Sequence, residues 1–178
     1  MMGIYWGENG NETRILSESD SNWYCYSKKD FRMANAKTED GNYWVWVPRF
    51  LFKKTTEGTD IEFVRGISNV ATNNKAMSGY EIHIAFSEKE EISGFWISKF
   101  QGNIENDELN FKPGKTLSLF TLQEVNDRYK TLLNKEIISK FDVMSEEKLN
   151  SIFTMSDAIE NKISNNLVHY AGGTPDAE

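Results

Sequence analysis

The sequence predicts an α+β protein, on two observations. Aromatic residues are segregated along the chain: residues 1–120 hold 19 of the 23 Phe, Tyr and Trp, including all five Trp. Beyond Lys112-Pro113-Gly114 the apolar period changes from that of strands to that of helices. Strands and helices kept in separate stretches favour α+β over a layered α/β arrangement, in which they would alternate. The chain has 178 residues, 39% of them hydrophobic. That suits one domain, or a domain with an appendage, with a real core and little scope for disorder.

The clearest strand is Tyr43-Trp44-Val45-Trp46-Val47-Pro48-Arg49-Phe50-Leu51-Phe52, rich in aromatic and β-branched residues and preceded by the turn Asp40-Gly41-Asn42. Both parities are apolar through Val47, which predicts burial on both faces. Pro48 has no N–H to give a ladder, so it belongs at an edge, a bulge or a place where pairing changes. A second strand is expected at Ile61–Ile67, and residues 68–79 form a polar surface loop. Tyr80–Phe86 and Ile92–Phe100 follow as strands around the charged turn 87–91. Ile4–Trp6, Thr13–Leu16 and Asn22–Tyr26 are shorter candidates. The segments 43–52, 61–67, 80–86 and 92–100 are expected to build one mostly antiparallel sheet, with Trp44 or Trp46, and Trp96, largely buried.

Leu122, Val125, Tyr129, Leu132 and Leu133 recur at helical spacing, and Thr121 with Glu124 has the form of a capping box, predicting a helix over 121–134 packed on the sheet. Ser145 begins a second helix with Leu149, Ile152 and Phe153 on one stripe. Ser156 or Asp157 caps a third, carrying Ile159, Ile163 and Leu167 and stopped by Gly172-Gly173. The domain organisation expected is a sheet-rich domain over 1–134 and a helical C-terminal segment with a loose tail over 135–178. The apolar residues of 145–170 must be covered by this domain or by a partner.

Composition restricts the function. A net charge of −7 argues against binding nucleic acid by phosphate neutralisation. A single cysteine, Cys25, excludes an internal disulfide framework and clustered-cysteine zinc sites. No apolar run approaches the roughly 20 residues that span a bilayer, so no membrane insertion is expected. The opening MMGIYWGENG lacks the regions of a signal peptide, so synthesis in a reducing compartment is expected.

No catalytic motif appears, and no catalytic, cofactor or metal residue is assigned. His83 reads as a structural residue inside a strand, and His169 as a helix C-terminal residue favoured by the dipole. Glu105, Asp107 and Glu108, with Asn103 and Asn106, offer oxygen ligands suited to calcium, but their spacing fits no known loop and reads as a solvated turn. Lys112-Pro113-Gly114-Lys115-Thr116 ends in GKT without the preceding glycine of a phosphate loop. Glu88, Glu90 and Glu91 form a solvated hairpin tip. Trp44, Trp46, Phe50, Phe52, Phe95, Trp96 and Phe100 form either the core of a small sheet domain or a platform on which sugar rings stack.

Three blocks carry a resemblance: Trp23-Tyr24-Cys25-Tyr26, Ala34-Asn35-Ala36-Lys37-Thr38, and Gly41-Asn42-Tyr43-Trp44-Val45-Trp46-Val47-Pro48-Arg49-Phe50. Ile82-His83-Ile84-Ala85-Phe86 and Ile92-Ser93-Gly94-Phe95-Trp96-Ile97-Ser98-Lys99-Phe100 continue it in order, followed by Lys112-Pro113-Gly114. Together they resemble a recurrent block of phage and prophage proteins that look like distant relatives of the C-type-lectin-like fold used by the formylglycine-generating enzyme family. The enzyme branch relies on a cysteine pair that this chain lacks, and the Trp- and Gly-rich C-terminal half of that fold is missing. The resemblance implies a C-type-lectin-like fold, abbreviated or completed by another chain, in a non-enzymatic virion protein: a head decoration, fibre or tail component. Its partners would be copies of itself and other virion proteins, and it would be made in the host cytoplasm. The alternative is a host-glycan or receptor-binding module; a third is an acidic phage-encoded inhibitor of a host enzyme.

Overall fold

Pro48 decides the architecture. The computed structural model describes residues 1–7, 12–27, 31–72, 77–114, 123, 127 and 145–159. In it the long apolar run breaks at Arg49 into β4 (Tyr43–Pro48) and β5 (Phe50–Thr55), which belong to different sheets. A residue without an N–H cannot extend the ladder, and the chain turns there from one set of partners to another. This is the change of pairing expected at Pro48, but it overturns the single sheet expected from the four main segments.

The first sheet has five strands in the order β2-β1-β3-β4-β8: β1 is Met2–Trp6, β2 Glu12–Arg14, β3 Asn35–Lys37 and β8 Gly94–Ser98. All four pairings are antiparallel. The second has three strands, with β5 between β6 (Gly58–Phe63) and β7 (Glu81–Ile82). A hairpin of β9 (Asn103–Glu105) and β10 (Glu108–Asn110) stands apart. Its two turn residues, Asn106 and Asp107, have φ of 51° and 66°. Asn and Asp tolerate that left-handed conformation, and two-residue hairpins require it. With the helix α1 (Glu146–Ile159) near the C-terminus, the described residues form an α+β structure of mostly antiparallel sheets.

Five expected strands shrink. Ile61–Ile67 keeps only Ile61–Phe63, within β6, and Thr13–Leu16 keeps only Thr13 and Arg14, within β2. Tyr80–Phe86 becomes two residues of β7 and a 3₁₀ turn, Ile84–Phe86, with His83 as its N-cap. The His83 Nδ1 accepts a hydrogen bond from the Ala85 N–H at 3.3 Å, so a local side-chain bond replaces the ladder. Asn22–Tyr26 contributes only the bridge between Cys25 and Arg32. Ile92–Phe100 pairs only over Gly94–Ser98.

Ser145 caps α1 as expected: its hydroxyl accepts from the Lys148 N–H at 3.2 Å and meets Glu88 Oε1 at 2.8 Å. Glu146 and Glu147 in the first turn favour the positive end of the helix dipole. The helix runs unbroken through Ser156 and Asp157, so neither caps a third helix. Its buried stripe is Ile152, Met155 and Ile159, while Phe153 is 52% exposed. Ser151 explains the rotation: small, buried, and bonded to the Lys148 carbonyl at 2.7 Å, it lets that face approach the sheets closely. The stripe joins Val45, Val47 and Ile97 of the first sheet, Phe50, Ile61 and Phe63 of the second, and Phe86 in one core. Intramolecular packing therefore covers this part of the C-terminal apolar surface. Of the helix expected over 121–134, Gln123 and Asp127 are described; both are helical, with the Gln123 amide 3.0 Å from the Asp127 carboxylate. The boundary at 134, His169, Ile163 and Leu167 lie outside the described residues.

Candidate functional site

Register assigns the residues of the first sheet to two faces. Ile4, Asn35, Val45 and Ile97 lie opposite one another across four strands, as do Gly3, Ala36, Trp44 and Ser98. The first row faces the core. The second row, with the directly opposed Trp46 and Trp96, faces outward.

At the end of the core face, Lys99 is only 3% exposed. Its Nζ donates to Asn35 Oδ1 at 2.7 Å and lies 4.6 Å from the centre of the Trp6 ring. Burial lowers its pKa to about 7, because the low-dielectric surroundings disfavour the ammonium. Trp6, Tyr43 and Phe100 meet one another edge to face. The Tyr43 hydroxyl donates to Glu12, which also pairs with Lys37 at 3.1 Å. The amine is thus buried beside one indole and held by an amide.

A second buried cation sits where the sheets part. Arg49 is 1% exposed; its Nη1 meets the carbonyls of Phe86 and Ile92 at 3.1 and 3.2 Å, and its Nη2 meets Asn69 Oδ1 at 3.1 Å. Glu91 lies 2.5 Å from it and balances the charge. The guanidinium fork thus pins two loops to the corner that Pro48 creates.

The outward face carries the cleft. Trp46 and Trp96 meet edge to face, 5.3 Å apart, and both are half-buried, whereas Trp44 is buried against Phe111. Gly94, at φ 152°, permits the close approach: a Cβ there would fall 2.5 Å from the Trp46 ring and 2.4 Å from the Val47 carbonyl. On the other side of the sheet face, Trp23 lies over Gly3, where a Cβ would come within 2.8 Å of the indole. Its Nε1 donates to the Asn35 carbonyl at 2.6 Å, which fixes the ring. An open cleft of about 480 Å³ is lined by Trp23, Trp96, Ala36, Ile15, Leu16 and Glu18.

The expected aromatic set therefore divides. Phe50 is core, Phe52 and Phe95 pack against the core, Phe100 meets Trp6 and Tyr43 edge to face, and Trp44 is buried. Trp96 reaches the cleft and is less buried than expected. Trp23, Ile15, Leu16 and Glu18 complete the cleft and were not singled out as binding residues. Their convergence depends on β1 lying between β2 and β3, and no spacing in the sequence encodes that order. His83 is buried among Phe50, Phe52 and Phe86, and burial lowers its pKa. Glu105 and Glu108 flank the β9–β10 turn, and no group of three or more His, Cys, Asp or Glu among the described residues could hold a metal ion. Nor is any described helix long and apolar enough to cross a membrane. Comparison of the chain with protein-family models, curated proteins and solved structures gives no match.

Proposed function

We propose that this protein is a non-enzymatic phage virion component, displayed as a head decoration, fibre or tail element on an abbreviated C-type-lectin-like scaffold. One observation carries the reading. The polar residues of the resemblance blocks are engaged in holding the frame: Asn35 with Lys99, Arg49 with its two loops, His83 with its turn. Asn42 also donates to Asp40 at 2.7 Å and accepts from the Phe111 N–H at the same distance. Catalysis needs groups aimed at a reacting atom, and these are aimed at the protein's own backbone and side chains. Glu18, beside the cleft, lies outside the blocks. A stable frame suits a displayed module that works by association with copies of itself and neighbouring virion proteins.

The protein content of purified particles tests this. Mass spectrometry of particles taken through two independent purifications should recover the chain in fixed ratio to the major virion proteins. Recovery only in the soluble fraction of infected cells would overturn the assignment. A glycan- or receptor-binding module is the second reading, favoured by the tryptophan cleft.

A further inference from the structure

We infer that β2 is a homodimerisation edge: Glu12, Thr13 and Arg14 pair antiparallel with the same residues of a second copy, about a twofold axis at Thr13. The inference rests on the self-association in the reading above and gives it a surface and a symmetry.

Register fixes which backbone groups the edge offers. The Ile15 N–H donates to the Gly3 carbonyl at 2.9 Å, so Gly3 and Ile15 are a hydrogen-bonded pair. Such pairs alternate with non-hydrogen-bonded ones along an antiparallel ladder. Tyr5 and Thr13 are therefore the next bonded pair, and the N–H and C=O groups of Glu12 and Arg14 point away from β1. β2 ends its sheet, its three residues are exposed, and no strand among the described residues pairs with its outer side. Two donors and two acceptors are thus presented at the spacing of a ladder.

Charge then selects the occupant and the register. The outward groups of two copies can meet in three antiparallel registers. Glu12 opposite Glu12, or Arg14 opposite Arg14, sets like charges against each other and destabilises the pairing. With Thr13 opposite Thr13, Glu12 of each copy faces Arg14 of the other, and four backbone hydrogen bonds close around two opposite-charge pairs. A charged edge ordinarily discourages strand pairing. Here the charges disfavour two registers and support the third, and the complement of β2 is its own sequence read antiparallel. Glu12 is also oriented before a partner arrives, by Lys37 at 3.1 Å and by the Tyr43 hydroxyl, which lowers the ordering cost. Leu16, 84% exposed and two residues beyond Arg14, gives a second copy apolar surface to cover. The contact is isologous, so it uses the same edge on both copies and closes at a dimer.

Sedimentation velocity of the full chain tests this. Three residues a side make a weak interface, so a monomer–dimer equilibrium should show between about 10 μM and about 1 mM and weaken with added salt. Arg14→Pro removes an outward donor and a charge without breaking the ladder to β1; it should weaken dimerisation at least about tenfold. Arg14→Glu alone and Glu12→Arg alone should each stay monomeric. An equimolar mixture of the two should recover the dimer, because every charge again meets its opposite. Circular dichroism establishes that each variant is folded. A native protein that stays monomeric throughout overturns the inference. So does a dimer that Arg14→Pro leaves at full strength, or a mixture of folded variants that fails to pair. A particle-bound protein that is monomeric in solution would sink this inference alone; a dimer absent from particles would sink only the virion assignment.

Discussion

Lys99 shows how a single residue of the resemblance blocks carries a measurable consequence. Its amine is buried beside Trp6 and bonded to Asn35, and its pKa falls from the ordinary 10.5 to about 7. Between those values the unfolded chain holds a proton that the folded chain has released. Stability therefore rises with pH through this window and declines as pH falls toward 7; below that, both states are protonated and the contribution is constant. Burial raises the pKa of Tyr26 and Tyr43, and their ionisation in the unfolded chain opposes the trend at higher pH. The clean range thus ends at about pH 9. Urea midpoints measured from pH 7 to 9 should climb for the native protein. Lys99→Met should flatten the climb, and an equal slope in both proteins would show that the buried amine is not its source.

At the scale of elements, the helix stripe separates pattern from packing. Leu149, Ile152 and Phe153 satisfy helical spacing, yet α1 buries Ile152, Met155 and Ile159 and leaves Phe153 exposed. Met155→Ala should cost about 2–5 kcal/mol through the cavity it leaves. Phe153→Ala should stay within about 0.5 kcal/mol. Denaturant unfolding of the two variants decides between the stripes, and a reversed order of costs would contradict the observed packing. The same contrast marks what the residues disclose. Local chemistry was legible: Pro48 as the break in pairing, Ser145 as a helix cap, the α+β segregation of strands and helix. What depends on distant chain was not. Tyr80–Phe86 has strand composition, but His83 bonds to the Ala85 N–H and turns the backbone into a 3₁₀ turn. β3, Asn35–Lys37, is only three residues long and carries no alternation to announce it, yet it links β1 to β4 and so brings Gly3 alongside Ala36. The cleft stayed hidden for that reason: its tryptophans were visible as a composition, and its lining arises from strand order.

Among the described residues, the five-stranded and three-stranded antiparallel sheets and the helix share one core, with these sheets parting at Arg49 and the tryptophan cleft on the far face of the larger sheet. Core and cleft occupy opposite sides of the same five strands, so the frame is stabilised on one face while the other stays available to a ligand or partner. The proposed virion role makes the position of the protein on particles the decisive observable. Immunogold electron microscopy of intact particles, with antibodies raised against the folded chain, reads that position directly. The account predicts label at a recurrent place on the particle surface, on the head, fibre or tail. Particles that remain unlabelled while the same antibodies label the soluble contents of infected cells would contradict it.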